Sequence, residues 1–358
     1  MVEVEETVGK DEIGALRSER AEEWAEERAG ERAGERAGER LAELLERRGR
    51  RVYQAGGYWW ANVDIDSRYF VSLPDQLCID VRREDVDSLL RRANGLLARY
   101  PSQQRAGLPC GAYVVQDRAY TLQKLQKRTR NFVRRGLESC QIRQVERSEL
   151  LTHGLELNLD TMARHGRRRP EFGDPKTWAR TVEAVYETKG SECWGAFVGD
   201  QLASYVMSCH DVGWEHLLIQ MSRTELLKSY PNHAIDYFLI ERAMANPDVH
   251  GVCLGSLPLR QGEGLHNYKV RMGYEVMPQD AVMAVHPLLS PLATSRLAGP
   301  LVRQAGRWNQ LAGLSERLEI LATGARMSSL DDEKLIAREL IEWNGRRATG
   351  APEGEDHA

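Results

Sequence analysis

The chain has 358 residues, of which 42% are hydrophobic and 28% are charged. This length provides for one large domain or two smaller ones, each with a core of its own. The formal net charge of −4 excludes a strong overall field toward nucleic acid or acidic membranes. The six cysteines stand singly, without the paired spacing of metal ligands, so we expect neither a zinc site nor an iron–sulfur site.

The first residues are acidic, whereas a signal peptide begins with positive charge. No apolar run approaches the roughly 20 residues that a membrane-spanning helix needs. We therefore expect a cytoplasmic protein that does not associate with a membrane.

Residues 1–50 are rich in Glu, Arg and Ala, with a repeated Glu-Arg-Ala-Gly unit between Glu27 and Arg40. Opposite charges recur at helical spacing and favour a solvated helix, while each glycine costs about 1 kcal/mol relative to alanine. We assign residues 1–50 to a charged extension, helical or disordered, and place the start of the folded domain at residue 51.

The first part of the domain alternates strands and helices. The apolar pattern predicts strands at 77–81 and 111–115, and a helix at 84–100. A second helix is predicted at 120–136, with a basic outer face and with Gly136 as the residue that ends it.

The second part begins with helices at 148–164 and 175–189 and then turns to strands. Gly199 and Asp200 join two strands, which is a strong hairpin signal. Further segments predict a mixed central sheet flanked by helices, hence an α/β (α+β) fold. They are a strand at 214–221, a helix at 232–245, a strand at 249–254, a helix at 264–272 and strand structure at 274–286. Amphipathic helices are expected at 287–344 and a disordered tail at 345–358.

Three stretches, taken in this order, resemble the Fem-like proteins of the GNAT superfamily. They are the basic helix ending at Gly136, the hairpin around Gly199, and a C-terminal set. That set begins at Tyr230-Pro231-Asn232 and ends in Tyr268-Lys269-Val270-Arg271-Met272-Gly273. The resemblance implies a GNAT-like domain over residues 51–286, with its core at 111–278. It also implies acyl transfer to a small-molecule amine, with acyl-CoA or aminoacyl-tRNA as co-substrate and no permanently bound cofactor.

The choice of donor depends on one departure from the ordinary acetyltransferase pattern. Those enzymes bind the CoA pyrophosphate with a glycine-rich turn at a helix N-terminus, where backbone N–H groups can approach the phosphates. The matching segment here, from Leu227 to Asn232, contains no glycine. Phosphate is then expected to meet Lys228, Ser229 and Asn232.

The same lack of glycine is typical of Fem-like transferases, which use charged tRNA. A basic face with Lys124, Arg128 and Arg130 suits a phosphate backbone. The alternative interpretation is a solvated helix face that the fold has whichever donor it uses. An aminoacyl-tRNA donor is slightly favoured over acyl-CoA, and tRNA is a candidate partner.

The resemblance also suggests residues for the chemical step. Lys269 is the first candidate for a cation beside the developing negative charge, against the alternative of a surface lysine. A backbone N–H near the end of the strand at 214–221 is expected to meet the donor carbonyl, which makes Met221 and Ser222 positional candidates. Arg164 and His165 are expected to border the acceptor.

Tyr268, His216 and His233 are the candidates for proton transfer, although a lone strand histidine such as His216 is more often structural. No nucleophile signature surrounds any serine or cysteine, so direct transfer without a covalent enzyme intermediate is expected. Two alternatives to the Fem-like transferase remain. One is an ordinary acyl-CoA-dependent N-acetyltransferase, and the other is a catalytically inactive GNAT-fold binding protein that acts through its N-terminal helix.

Overall fold

The computed structural model describes residues 37–102, 107–166, 169–256 and 263–289. Eleven strands form one mixed sheet in the order β1-β2-β3-β4-β11-β5-β10-β9-β8-β7-β6. In chain order, the strands are β1 (Val52–Ala55), β2 (Tyr58–Asn62), β3 (Tyr69–Leu73), β4 (Leu97–Ser102), β5 (Leu108–Val115), β6 (Gln141–Gln144), β7 (Ser191–Val198), β8 (Gln201–Asp211), β9 (Trp214–Ser222), β10 (Gly251–Ser256) and β11 (Glu275–Val285).

Nine α-helices flank this sheet in the described part of the chain. They are α1 (Glu39–Arg47), α2 (Arg83–Arg92), α3 (Lys127–Ser139), α4 (Arg147–Glu149), α5 (Leu155–Arg164), α6 (Pro170–Gly173), α7 (Pro175–Glu187), α8 (Pro231–Ala245) and α9 (Glu263–Arg271). A π-helical segment, Leu150–Gly154, joins α4 to α5, and a 3-10 helix, Thr224–Ser229, precedes α8. None of the helices in the described ranges is long and apolar enough to cross a bilayer.

Two pairs of neighbouring strands are parallel, namely β3 with β4 and β9 with β10. The other eight neighbouring pairs are antiparallel. Each parallel pair needs a crossover connection, which α2 and α8 provide respectively. The predicted α/β fold, a mixed central sheet flanked by helices, is therefore the one observed.

Helices cover both faces of the sheet because successive residues of a strand point to opposite sides. In β8, Met207 packs in a core with α1 and α7, whereas the residue before it, Val206, packs in another core with α8. A third core joins α2 to the strands at the other end of the sheet through Phe70 and Tyr100.

The packed structure reaches further toward the N-terminus than the boundary that we placed at residue 51. Leu41 and Leu44 of α1 are buried in the core, at 3% and 1% exposure. The backbone N–H groups of Gly38 and Leu41 both donate to the carboxylate of Asp211 at the end of β8. Residues 1–36, and the predicted segments from 290 to 358, lie outside the described residues.

Two predicted elements near the N-terminal half of the sheet are wrong. The helix expected at 84–100 ends at Arg92, because Asn94 adopts a positive φ of 49° and the chain turns into β4. The strand expected at 77–81 is irregular chain whose Ile79 N–H donates to the carbonyl of Pro101. In both cases most of the apolar residues are buried, but tertiary packing rather than local periodicity selects the backbone conformation.

The basic helix also differs from its prediction. It begins at Lys127 and continues through Gly136 to Ser139, so Gly136 does not end it. A Cβ at Gly136 would lie 2.7 Å from the carbonyl oxygen of Tyr230. The glycine therefore allows α3 to pack closely against the start of α8.

Candidate functional site

The parallel strands β9 and β10 separate toward their C-terminal ends. They pair over three positions, from Trp214↔Gly251 to His216↔Cys253. Beyond these positions β9 stays paired with β8 as far as Ser222, while β10 pairs with β5 at Ser256. A gap therefore opens between two neighbouring strands, at the C-terminal edge where open α/β sheets bind their ligands.

Lys269 of α9 lies beside this gap, and its side chain is buried rather than solvated, with the residue 7% exposed. Its Nζ lies 4.0 Å from the centroid of the Tyr113 ring, which is a close cation–π contact. Burial lowers the pKa of Lys269 to about 8, against the opposing effect of neighbouring Cys253, Asp236 and Asp75. At pH 7 the ammonium form predominates, so the site contains a largely desolvated positive charge.

Asp236 of α8 is a buried carboxyl group on the same side of the sheet. The Tyr268 hydroxyl donates to its Oδ2 over 2.7 Å, and Gln220 Nε2 donates to its Oδ1 over 2.8 Å. Burial raises the pKa of Asp236 to about 7, although both hydrogen bonds and Lys269 act in the other direction. Asp236 thus fixes Tyr268 and contributes a titratable charge near Lys269.

The sequence analysis did not identify Asp236, although a signal for it was present. It is the only acidic residue in the apolar stretch from Ala234 to Leu239, on the face of the helix that the periodicity buries. A buried acid is costly without hydrogen-bond partners, which makes such a position a candidate functional residue.

Ser222, at the end of β9, is held by side chains from α5. The Ser222 N–H donates to Thr161 Oγ1 over 3.0 Å, so this N–H is not free to bind a donor carbonyl as expected. Arg164 donates through Nη2 to Ser222 Oγ over 2.9 Å and through Nη1 to the Ser222 carbonyl over 3.2 Å. Arg164 therefore anchors the strand end in this structure.

Asn232 reaches the same serine from the first turn of α8. Its Nδ2 lies 3.4 Å from Ser222 Oγ, and its Oδ1 accepts a hydrogen bond from Ser204 Oγ over 2.8 Å. The residue that precedes the helix is Tyr230, in the left-handed region, so Asn232 does not cap α8. The structure thus joins Ser222, Arg164 and Asn232, for which three different roles were expected, in one cluster.

Of the remaining proton-transfer candidates, His216 is buried and His233 is partly buried. His216 is 3% exposed, its Nε2 has no hydrogen-bond partner among the described residues, and burial lowers its pKa to about 4. Burial also lowers the pKa of His233 to about 4, and its ring stands edge-on to Tyr268 at 5.1 Å. Both imidazoles are therefore neutral at pH 7. His165, by contrast, is exposed at the end of α5.

The expected donor side lies at the start of α8. Lys228 is exposed and Ser229 is partly buried at the end of the 3-10 helix. The Tyr230 ring stacks on Phe132 of α3 with centroids 4.7 Å apart, and the guanidinium carbon of Arg135 lies 4.8 Å from the centroid of the same Tyr230 ring. Aromatic side chains thus occupy the region next to residues 227–232, the segment without glycine.

The three basic residues expected on the donor side have different surroundings. Lys124 forms an ion pair with Asp117, Arg130 donates to the Gln123 carbonyl over 3.3 Å, and Arg128 lies 5.5 Å from the Phe132 ring centroid. Lys124 and Arg128 are exposed and Arg130 is partly buried. Further exposed cations share this surface, namely Lys127, Arg134 and Arg135.

Comparisons with known proteins yield structural similarity at low sequence identity. No protein-family model matches the sequence, and no curated protein matches it either. The crystal structure of FemX is 13% identical, covers 71% of this chain and 93% of FemX, and gives a TM-score of 0.49. The structure of L-PGS from Bacillus licheniformis is 12% identical, covering 75% of this chain and 92% of that one, with a TM-score of 0.47.

A GCN5-related N-acetyltransferase from Kribbella flavida is also similar. It is 12% identical, covers 72% of this chain and 97% of its own, and gives a TM-score of 0.40. Such values concern the fold and not the reaction. The observed fold itself is a mixed sheet flanked by helices, with parallel strands that separate at the candidate site.

Proposed function

We propose that this protein is a GNAT-fold acyltransferase that transfers an acyl or aminoacyl group directly to an amine. The observation that carries the proposal is the gap between β9 and β10, with the buried ammonium of Lys269 beside it. A preorganised positive charge in a site of low dielectric constant suits a reaction in which negative charge develops on a carbonyl oxygen.

In the proposed reaction the neutral amine attacks the carbonyl carbon of the donor. A C–N bond forms, the carbonyl oxygen becomes negative, and the Lys269 ammonium stabilises this charge. The bond from carbon to the donor oxygen or sulfur then breaks, and the proton lost by the amine compensates the charge on the leaving group. Asp236 and Tyr268 position α9 during these steps through their 2.7 Å hydrogen bond.

The thiol nearest to this site supports direct transfer. Cys253 is 1% exposed, and burial raises the pKa of its thiol well above the usual range. A thiol of this kind is a poor nucleophile because the thiolate is the reactive form. We therefore propose one transfer step in a complex of donor, acceptor and protein.

For the donor we favour aminoacyl-tRNA. The exposed cations of α3 lie beside the start of α8, where they suit a phosphate backbone. Acyl-CoA is the second candidate, because α8 has 15 residues and no side-chain cap at its N-terminus, a position that favours a phosphate anion.

Retention of charged tRNA on filters tests the donor. Replacing Lys124, Arg128 and Arg130 by glutamate should weaken retention at least about tenfold and reduce its dependence on salt. A matched control replaces three exposed arginines at α2, namely Arg82, Arg91 and Arg92, and should leave retention unchanged.

A thermal-shift assay with acetyl-CoA tests the second candidate. Stabilisation by acetyl-CoA without retention of tRNA would replace the favoured donor by acyl-CoA. If neither donor binds at micromolar concentration, the transferase proposal fails and the inactive binding protein takes its place. Mass spectrometry of products from a mixed amine pool then identifies the acceptor.

A further inference from the structure

A cavity of about 530 Å³ lies on the face of the sheet opposite to α8 and α9. Its walls include Arg99 of β4, Gln279 of β11 and Ser256 at the end of β10. Val276 pairs with Tyr113, whose ring lies beneath Lys269. Gln279 is three positions after Val276 in β11, so its side chain points to the opposite face of the sheet. Gln279 and Lys269 therefore lie on opposite faces. Ser256 also borders the gap between β9 and β10. The cavity thus reaches the candidate site from the other side of the sheet.

Two of the three arginines in this cavity already have carboxylate partners. Arg50 Nη2 lies 2.8 Å from Glu171 Oε2, and Arg50 Nη1 lies 3.9 Å from Asp64 Oδ1. Arg169 Nη1 lies 3.7 Å from Asp64 and 3.6 Å from Glu171. These two cations and two anions form a balanced cluster that needs no further charge.

Arg99 differs from these arginines because its contacts are with uncharged groups. They are the hydroxyl of Tyr69 and the thiol of Cys110, and burial helps to keep that thiol neutral by raising its pKa. Within the described ranges no carboxylate lies inside ion-pair distance of its guanidinium. A partly buried charge without a counter-charge is unfavourable, and the planar guanidinium matches a carboxylate in a bidentate manner.

Asp75 is the complementary case. Its Oδ2 accepts hydrogen bonds from the N–H and the hydroxyl of Ser256, over 2.9 Å and 2.8 Å. Its Oδ1 has no partner, and no cation lies within ion-pair distance of the carboxylate, among the residues that the structure describes. The cavity therefore contains one cation and one anion that form no ion pair with another described residue. Lys269 attracts Asp75 only from a greater distance, and Asp75 lies at the edge of the gap.

We propose that the cavity binds the acceptor, and that the acceptor is an amine that also carries a carboxylate, as in an amino acid or a short peptide. Arg99 binds the carboxylate, and Asp75 binds the ammonium group next to the gap, from where the amine reaches the donor carbonyl after it loses a proton. This assignment rests on the proposed acyl transfer. In this assignment Arg99 takes the place of Arg164 as the residue that binds the acceptor, because Arg164 already donates a hydrogen bond to Ser222.

Calorimetry with matched ligands tests the assignment by binding, without requiring turnover. The ligands are free amino acids and glycyl dipeptides, each with its decarboxylated amine and its deaminated acid, and phosphoethanolamine is added as a phosphate-bearing amine. At least one amino acid or dipeptide should bind to the wild-type protein. Loss of either the carboxylate or the amine should weaken that binding about tenfold or more.

Arg99→Gln should weaken the same ligand about tenfold or more, and Arg99→Lys should lose less because the charge remains. Asp75→Asn should weaken the amine-bearing ligands but not the deaminated acids. Arg92→Gln is the matched control, because Arg92 is exposed on α2 and donates to the Gln54 carbonyl instead. Unfolding temperatures confirm that each variant is folded before its binding is compared.

Three results would overturn the assignment. They are equal binding of the decarboxylated amines, unchanged affinity in Arg99→Gln, and no binding of any amino acid or dipeptide at millimolar concentration. Binding of phosphoethanolamine alone would replace the carboxylate by a phosphate and likewise refute it. Failure of acyl transfer with intact binding would instead refute the proposed reaction and leave the ligand site standing.

Discussion

The two parallel strand pairs share a geometry and differ in what occupies their open ends. Both β3/β4 and β9/β10 pair over three residues, and a helix connects the two strands of each pair. Beyond the pairing of β3 with β4, the chain itself fills the space, because Ile79 bonds to Pro101 and is 3% exposed. Beyond the pairing of β9 with β10, ionisable side chains border the gap.

The crossover helices differ in the same way. The buried face of α2 consists of Val86, Leu89 and Leu90, all at 0% exposure. The buried face of α8 includes Asp236, also at 0% exposure. A buried carboxyl group does not add to stability as an apolar side chain does. The comparison indicates that the crossover helix of the first pair serves packing alone, whereas that of the second carries a buried ionisable group, although the two pairs have the same topology.

Lys269→Ala should give the largest effect, because it removes the buried cation on which the proposed reaction depends. We expect kcat to fall about 100-fold to 1000-fold, the range for loss of one stabiliser of an oxyanion, with little change in KM. Steady-state kinetics with separate variation of donor and acceptor measures both constants. Lys269→Arg retains the charge and should recover part of the activity, whereas unchanged turnover in Lys269→Ala would end the assigned role.

Val86→Ala should affect stability and leave the reaction intact, because it changes only the buried apolar face of α2. Removing two buried methyl groups should lower the free energy of unfolding by about 2 kcal/mol. Denaturant titration gives this value, and kcat per folded molecule should stay within about twofold of the wild type. A large loss of kcat in a folded variant would show that the two strand pairs are coupled in catalysis.

The pH dependence of kcat is the smallest of the expected effects. In the proposed reaction Lys269 acts as the ammonium form, and its pKa is lowered to about 8. On that proposal kcat should fall as the pH rises through 8, by about tenfold for each further unit. Lys269→Arg should remove this decline, since arginine stays protonated in that range.

Asp236→Asn sharpens the same measurement. The Asp236 charge raises the pKa of Lys269, so its loss should move the decline in kcat to lower pH. A purely structural role of Asp236 would change stability without moving the decline. An unchanged midpoint in a folded variant would therefore contradict the electrostatic coupling of the two residues.

The sequence determined much of the fold because the relevant signals are local. The hairpin at Gly199 and Asp200 is observed between β7 and β8, with Val198 opposite Gln201. The helix expected at 232–245 is α8, one residue longer at its start. The sequence also suggested Lys269 and Tyr268 as candidate residues, because they lie in a short motif that resembles the ending of Fem-like domains.

Only the tertiary structure decided the surroundings of these residues. Asp75 and Ser256 are 181 residues apart, and Arg164 and Ser222 are 58 apart, so no local pattern relates them. The sequence by itself determined a mixed sheet, its crossover helix and a candidate cation, since periodicity and turn chemistry are properties of short segments. Packing determined where the sheet opens, which charges lose their solvent, and which of the three arginines described in the cavity forms no ion pair with a described carboxylate. Burial and pairing depend on residues far apart in the chain.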